Sequence, residues 1–285
     1  MKTLLFALCL FAGTCVAETK LPPLGNDGRR LPGKFVWADL VTYDVPGSAK
    51  FYKGLFGWNF TDYGGYVIVD NEERPIAGMF QKPRPDDANA KPRWFGYISV
   101  PNVGRVQETV GKAGGRVLAP AQKFPGRGEQ AVFADPEGAL FGAVRSSSGD
   151  PPDFQADAGD WIWIQMWIRD APKSAQFYRS LAGYEIDENT SSARSNDYVL
   201  VSEKYARGTV LQLPADYTEV KPTWLLFVRV KSAVESAAKA VELGGKVLVA
   251  PSASLYQNHV AVIADPSGAA VGLLEWDEQV LKGGQ

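Results

Sequence analysis

The chain has 285 residues, of which 45% are hydrophobic and 22% are charged, and its formal net charge is −2. This length and composition suit about two soluble domains. The small net charge argues against nucleic acid as a partner, because phosphate binding needs clustered lysine and arginine. No internal apolar run approaches the roughly 20 residues of a membrane-spanning helix, so no membrane span is expected.

The N-terminus predicts an export signal. An apolar segment over residues 4–13 follows a lysine and is too short to span a membrane, and small residues precede Glu18. We therefore expect residues 1–17 to be a signal peptide and the protein to be periplasmic or secreted. The alternative is a lipoprotein anchored through Cys15, because the residues before this cysteine weakly resemble a lipoprotein box.

The next segments predict a tether and then a first domain. Residues 18–33 are rich in proline, glycine and charge, which favours a flexible tether. From residue 34, apolar residues with a two-residue period indicate a strand, Asp44 can cap a helix, and Gly57 can end it. Three short strands follow, and a second strand–helix–three-strand segment completes a domain over residues 34–146.

The second half of the sequence repeats the first. The segment WIWIQMWIRDAPKSAQFYRSLAGY, which begins at Trp161, matches the opening of the first domain in apolar pattern, aspartate and helix. A polar segment over residues 147–160 is predicted to be the linker, residues 161–277 the second domain, and residues 278–285 a tail. A repeat this clear indicates duplication. The fold class is therefore predicted to be α+β, with four βαβββ units in tandem.

These motifs resemble the vicinal-oxygen-chelate superfamily, which comprises glyoxalases, bleomycin-resistance proteins and dioxygenases. Its opening is an apolar strand, an aspartate, a short helix and a glycine–aromatic pair. Its second signature, DPxG before a last strand, stands here at residues 135–138 and 265–268. The resemblance covers residues 34–277 and implies two domains whose curled sheets form cups. It leaves the activity open, because one fold hosts many functions.

Enzymes of this superfamily usually hold a divalent metal between histidine and carboxylate or amide side chains on the cup-facing strands, where the metal polarises a substrate. The corresponding positions carry no histidine, acid or cysteine: they are Trp37, Gly78, Phe95, Gly142, Trp163, Thr209, Leu225 and Gly272. The single histidine, His259, is distant in sequence from all of them. The sequence therefore predicts no metal site and no cofactor.

The resemblance, together with the two-residue period of strands, predicts which side chains line the cups. The first cup should contain Trp37, Asp39, Val41, Phe95, Tyr97, Ser99 and Gly142, and the second Trp163, Gln165, Trp167, Arg229 and Gly272. Aromatic walls with a few polar groups are typical of small-molecule sites. The glycines are expected to leave room for a bulky aromatic ligand or for the tryptophans themselves. The alternative is that the aromatic residues simply fill a core.

Asp39 is the main candidate for chemistry. A carboxylate among aromatic side chains loses solvation, so its pKa should rise, and it could then act as a general base with Tyr97 nearby. The alternative is a structural aspartate that is hydrogen-bonded to the backbone or to Arg74 or Arg93. Its counterpart Gln165 is neutral, so the two cups are not expected to act alike.

The sequence thus predicts an exported, metal-free protein that binds a small organic molecule. The alternative is a lyase, epimerase or hydrolase that uses Asp39 without a metal. A metal-dependent dioxygenase or glyoxalase is disfavoured by the ligand positions, and a purely structural or protein-interaction role is a further possibility. Whether a reaction is catalysed, and the oligomeric state, are left open by the sequence.

Overall fold

The computed structural model describes residues 21–84, 91–188, 197–253 and 256–276. The expected signal peptide with Cys15, the first part of the tether and the tail at 278–285 lie outside these residues. In the part of the chain that is described, no helix is long and apolar enough to cross a membrane.

The first repeat contains two βαβββ units, in the predicted order. The first unit comprises β1 (Phe35–Thr42), α1 (Val45–Phe56), β2 (Asn59–Asp62), β3 (Tyr66–Asn71) and β4 (Arg74–Gln81). The second unit comprises β5 (Arg93–Ser99), α2 (Val103–Lys112), β6 (Arg116–Phe124), β7 (Gly128–Ala134) and β8 (Leu140–Ser146).

The second repeat has the same element order. Its first unit comprises β9 (Trp161–Ile168), α3 (Ala171–Ala182), β10 (Glu185–Glu188), β11 (Tyr198–Ser202) and β12 (Tyr205–Gln212). Its second unit comprises β13 (Thr223–Val230), α4 (Ala233–Glu242), β14 (Lys246–Val249), a 3₁₀ turn at Tyr256–Asn258, β15 (Val260–Ala264) and β16 (Ala270–Glu275). The predicted α+β fold of tandem βαβββ units is confirmed.

Each repeat forms an eight-stranded mixed sheet. The strand orders are β2-β3-β4-β1-β5-β8-β7-β6 and β10-β11-β12-β9-β13-β16-β15-β14. In each unit the first strand pairs in parallel with the last one, as β1 does with β4 and β9 with β12, and the hairpins between them are antiparallel. The two repeats therefore place equivalent residues at equivalent register positions.

The helix ends follow the predicted capping chemistry. The Asp44 carboxylate accepts a hydrogen bond of 2.9 Å from the Gly47 amide, and α1 ends at Gly57, whose φ of 78° is left-handed. Asp170 caps α3 in the same way, and Gly183 ends it with a φ of 74°. A side-chain acceptor at the first turn and a glycine after the last turn satisfy backbone groups that the helix itself leaves unpaired.

The segment predicted as a flexible tether is, from residue 21 onward, held against the first repeat. Leu31 is buried, and its amide donates to the Asp150 carboxylate at 2.7 Å. The Gly28 amide donates to the Ser148 carbonyl, and the Asp150 amide donates to the Arg29 carbonyl. The composition of the segment suggested disorder, but its backbone groups find partners in the linker, which composition does not reveal.

By its packing the described chain separates into two compact units, and each unit takes segments from both repeats. One unit contains residues up to 37, 95–153 and 165–224, and the other contains 38–94, 154–164 and the residues from 225 onward. The predicted boundaries at 146 and 161 therefore describe the two repeats of the sequence. Each compact unit, by contrast, contains segments from both repeats.

In the first compact unit, a buried relay joins the DPEG turn to α3. The Trp224 indole donates to the Tyr178 hydroxyl at 2.9 Å, and this hydroxyl donates to the Asp135 carboxylate at 3.0 Å. Burial raises the pKa of the Asp135 carboxyl above its ordinary value and that of Tyr178 well above its own. The turn residue Asp135 thus contributes to the core.

The second compact unit repeats this arrangement with α1. The Trp94 indole donates to the Tyr52 hydroxyl at 2.8 Å, and Tyr52 is hydrogen-bonded to Asp265 of the DPSG turn. Asp265 also accepts from the Ser48 hydroxyl at 2.8 Å. In both units the aspartate of a DPxG turn holds a helix that belongs to the other repeat.

Candidate functional site

The first-repeat face is the part of one sheet side that is formed by Asp39 and Val41 of β1, Tyr66 and Ile68 of β3, and Gly78 and Phe80 of β4. Two rows of register partners define it, Ile68–Gly78–Asp39 and Tyr66–Phe80–Val41. Because alternate residues of a strand point to one side of a sheet, these six side-chain positions share a surface.

A short hydrogen bond closes this face. The Tyr66 hydroxyl donates to Oδ1 of Asp39 at 2.6 Å, and the two residues are 6% and 3% exposed. The Tyr66 ring stacks on Phe80 with centroids 6.5 Å apart. Asp39 is therefore a buried acceptor beneath an aromatic pair.

Gly78 makes room for that bond. A Cβ atom at this position would lie 2.0 Å from the Tyr66 hydroxyl and 2.6 Å from the Asp39 carboxylate. No larger residue fits unless Tyr66 moves. The position that the family resemblance assigns to a metal ligand thus has no side chain, and the phenol of a neighbouring strand fills the space beside it.

One of the alternative partners expected for Asp39, the guanidinium of Arg74, is paired with a different carboxylate. Arg74 binds Asp160 of the linker, with its guanidinium 2.6 Å from the carboxylate. Asp160 also accepts from the Asn71 amide at 2.7 Å. Tyr66, which the sequence did not single out, donates a hydrogen bond to Asp39.

The other predicted residues of the first cup are also buried. Gly142 is the register partner of Tyr97, and a Cβ atom there would lie 2.2 Å from the Tyr97 ring. The Ser99 hydroxyl donates to Asp150 at 2.5 Å, and Phe95 lies 5.4 Å from Tyr97 between ring centroids. The expectation that Gly142 leaves room for a ligand or for a tryptophan is wrong, because Tyr97 covers it.

Trp37 has a cationic neighbour. The Arg127 guanidinium lies 4.0 Å from the centroid of the Trp37 ring, and Arg127 is buried. This is cation–π geometry, which is strongest when solvent is excluded. The motif Gly126-Arg127-Gly128 thus supplies a structural cation to Trp37.

The second-repeat face is formed by the equivalent positions: Gln165 and Trp167 of β9, Asp197 and Val199 at β11, and Thr209 and Leu211 of β12. In the sheet, Val199 is the register partner of Thr209, Thr209 that of Gln165, and Leu211 that of Trp167. Asp197 directly precedes β11 and stands where Tyr66 stands in the first repeat. At this position the second repeat therefore has a carboxylate where the first repeat has a phenol.

This face differs from its counterpart in exposure. Asp197 and Thr209 are buried at 6% and 8%, while Gln165, Trp167, Val199 and Leu211 are partly exposed. The Trp167 indole donates to Oε1 of Gln165 at 3.3 Å, which orients both side chains. The result is an apolar surface with one amide at its centre.

The remaining predicted residues of the second cup have separate roles. Gly272 is covered by Phe227, whose ring a Cβ atom would approach to 2.2 Å, so it leaves no room either. The Arg229 guanidinium donates to the carbonyls of Ala156 and Trp276 and so ties the linker to the end of the second repeat. Trp163 is partly exposed on β9.

The residues present do not suit the divalent metal that the family resemblance implies. Within the described residues, no group of three histidine, cysteine or acidic side chains could hold an ion. His259 is paired with Glu275, with Nδ1 3.3 Å from the carboxylate, near the end of β16. The spaces beside the glycines at the ligand positions hold the rings of Tyr66, Tyr97 and Phe227.

The two eight-stranded sheets of βαβββ units define a tandem α+β protein of the vicinal-oxygen-chelate class. The description "Glyoxalase/Bleomycin resistance protein/Dioxygenase superfamily" matches residues 34–142, and "Glyoxalase-like domain" matches residues 161–274. The chain belongs to the glyoxalase/bleomycin-resistance/dioxygenase superfamily, as a tandem of two such domains.

Named relatives span nearly the whole chain. A Mycobacterium tuberculosis protein named "Putative glyoxylase CFP32" is 28% identical over 246 residues, which cover 84% of this chain and 93% of that protein. The "Anthracycline biosynthesis protein DnrV" of Streptomyces peucetius is 27% identical over 266 residues, covering 88% of this chain and 96% of that protein.

Solved structures share the fold. The Mn(II)-bound glyoxalase of Novosphingobium aromaticivorans has a TM-score of 0.57 at 14% identity and covers 86% of this chain and 82% of its own. The homoprotocatechuate 2,3-dioxygenase of Brevibacterium fuscum has a TM-score of 0.60 at 14% identity and covers 90% and 84%. At this identity the likeness establishes architecture alone.

Trp167 was predicted to line the second cup, because it shares the two-residue period of Gln165 along β9. The residues that the hairpin strands add to these faces were not predicted, above all Tyr66 and Asp197. Tyr66 and Asp197 become comparable only when the third strands of the two repeats are aligned with their true register. More residues separate Asp197 from β10 than separate Tyr66 from β2, which hides this equivalence in the sequence.

Proposed function

We propose that this protein is an exported binding protein for a small organic molecule, and that the molecule binds to the second-repeat face without a metal. The observation that carries the proposal is the partial exposure of Gln165, Trp167, Val199 and Leu211 on one surface. Of their counterparts in the first repeat, Asp39, Ile68 and Phe80 are buried, and Val41, which corresponds to Trp167, is partly exposed. An apolar surface with a placed polar group is the usual composition of a ligand site.

The names of the relatives support a small organic molecule as the ligand. One is named for anthracycline biosynthesis, and the superfamily description includes bleomycin resistance. Both names concern organic natural products. Metal independence is supported by the chemistry of the ligand positions, which offer rings and glycines in place of imidazoles and carboxylates.

The binding proposal can be tested with an anthracycline as the probe. Protein treated with a chelator should bind the probe saturably, as measured by quenching of tryptophan fluorescence. Trp167→Ala should raise the Kd about tenfold, because it removes a stacking surface. The matched variant Val41→Ala changes the equivalent position of the first repeat and should leave the Kd unchanged. No saturable binding, or binding only after addition of a divalent metal, would contradict the proposal.

A second candidate is a metal-independent lyase, epimerase or hydrolase that uses Asp39. The 2.6 Å hydrogen bond between Tyr66 and Asp39 favours it, since a buried phenol–carboxylate pair can exchange a proton with a substrate. Under this candidate, Asp39→Asn abolishes turnover of a substrate and leaves the fold intact. If Asp39 is structural, the same variant lowers the melting temperature and leaves binding per folded molecule unchanged.

Export is supported by the N-terminal sequence alone. Intact-mass spectrometry of the protein recovered from the periplasm or medium should give a chain that begins at or near Glu18. A mass that includes acyl chains on Cys15 would establish the lipoprotein alternative instead.

A further inference from the structure

The rim of the second-repeat face carries acids that the first repeat lacks. β10 pairs with β11 so that Asp187 lies beside Val199 and Glu185 lies beside Val201. Both acidic side chains are exposed. At the equivalent strand of the first repeat, Asn59 and Thr61 are neutral, and Thr61 is the register partner of Ile68.

The Trp167 ring also favours a positively charged ligand. Its ring is partly exposed at the opposite side of the strand group from β10. The face of an indole attracts cations because of its quadrupole, and tryptophan does so more than the other aromatic residues. Stacking on this ring and attraction to the rim therefore favour a ligand that is both flat and positively charged.

The spacing of the strands gives the length of such a ligand. In the order β10-β11-β12-β9, three inter-strand steps separate the acids from Gln165 and Trp167. At about 4.8 Å for each step, the distance across the sheet from Asp187 to Gln165, which lie in one row of register partners, is about 14 Å, and Trp167 lies in the next row of this face. A fused aromatic system of three rings with a short amine chain spans this length.

We infer that the ligand of the second-repeat face is an elongated planar aromatic cation, whose rings stack on Trp167 and whose ammonium group lies at Glu185 and Asp187. The Gln165 amide group, whose oxygen accepts from the Trp167 indole, offers its nitrogen to an oxygen on the ring edge. The inference rests on the proposed function, because it specifies the ligand of the same face.

Three probes that share one ring system and differ in charge separate the contribution of the rings to binding from that of the charge. They are 3-(anthracen-2-yl)propylamine, the matching propanol and the matching propanoic acid, which are cationic, neutral and anionic at pH 7. The amine should bind about five- to tenfold more tightly than the alcohol, since each exposed charge pair adds a small increment. The acid should bind more weakly than the alcohol. Higher salt should reduce the advantage of the amine, because salt screens exposed charges.

A double variant tests the assignment of the rim. Glu185→Gln/Asp187→Asn should bring the Kd of the amine to that of the alcohol and leave the Kd of the alcohol unchanged. The control Glu235→Gln/Glu242→Gln makes the same change in net charge on the exposed side of α4 and should keep the preference.

The outcomes separate the two proposals. If the alcohol binds and the amine has no advantage, or if the rim variant keeps the advantage, the cation inference is overturned and the proposed binding function stands. If none of the three probes binds, and the anthracycline does not bind either, the proposed function fails and the inference fails with it.

Discussion

The first-repeat face and the second-repeat face are built on the same strand register, and yet one is closed and the other is partly open. In the first, Tyr66 reaches across Gly78 to Asp39 and its ring covers Phe80. In the second, Asp197 and Thr209 hold the positions of Tyr66 and Gly78, and no ring covers Leu211 from the Asp197 position. The first face therefore buries Asp39, Ile68 and Phe80, whereas the equivalent residues of the second, Gln165, Val199 and Leu211, are partly exposed.

The difference teaches how a duplicated fold can assign separate tasks to its copies. A closed face stabilises the protein through burial, and an open face keeps apolar surface for a ligand at some expense of stability. On this view the first-repeat face is structural and the second-repeat face is functional. Substitutions that exchange features of the two faces are therefore the natural tests.

The largest effect is expected at Gly78. Gly78→Thr gives the first repeat the residue of the second, and its Cβ would clash with the Tyr66 hydroxyl. The free energy of unfolding should fall by about 3 kcal/mol, the upper end of the usual range for overpacking. The reciprocal Thr209→Gly should cost only about 1 kcal/mol, because it chiefly removes a strand side chain. Denaturant unfolding measures both, and equal small losses would contradict a closed first face.

A smaller effect is expected at Tyr66. Tyr66→Phe keeps the ring on Phe80 and removes the donor to a buried carboxylate, which should cost about 1.5–3 kcal/mol. Tyr63→Phe, at a tyrosine that is 50% exposed, is the matched control and should be neutral. Thermal unfolding of the two variants makes the comparison. If they melt alike, the Asp39–Tyr66 bond does not stabilise the first face.

The smallest effect is expected at Asp153, an acid of the linker that forms an ion pair with a residue of β12. Asp153 pairs with Arg207 at 2.6 Å and with Lys34 at 3.0 Å. Although burial raises the pKa of Asp153, the hydrogen bonds and charges of Arg207 and Lys34 outweigh it, so the pKa is lowered. The folded state then binds fewer protons than the unfolded state between the lowered pKa and the ordinary value of about 3.9.

The contribution of Asp153 is therefore present above about pH 4 and is lost as the pH falls through the lowered pKa. Asp153→Asn should remove about 0.2–1 kcal/mol of stability at pH 7, and the loss should vanish in acid. Urea unfolding of wild type and variant at several pH values checks this. A difference that stays constant from neutral pH into acid would show that the charge pair does not contribute.

Much of the fold was predictable from the sequence because its signals are local. Asp44 and Asp170 indicate where α1 and α3 begin, and Gly57 and Gly183 indicate where they end. The internal repeat of the sequence indicates the number of βαβββ units. The ordered tether was not predictable, because its hydrogen bonds to residues 146–150 are long-range.

The candidate site was predictable only in part. The two-residue period brought Asp39, Gln165 and Trp163 to notice, but it does not tell which neighbours cover them. The equivalence of Tyr66 and Asp197 depends on strand register, which the different numbers of residues before them obscure. The rings over Gly142 and Gly272 depend on strand pairings that are distant in sequence. Local patterns predict elements, whereas covering side chains are set by tertiary packing.

Hydroxyl-radical footprinting with mass spectrometry tests the central claim most directly, with 3-(anthracen-2-yl)propylamine at saturation as the probe. If the second-repeat face is the binding site, oxidation of Trp167, Val199 and Leu211 should fall when the probe is present. Oxidation at Val41, Ile68 and Phe80 should be unchanged. Protection of the first-repeat residues, with Trp167 as reactive as in the free protein, would contradict the account.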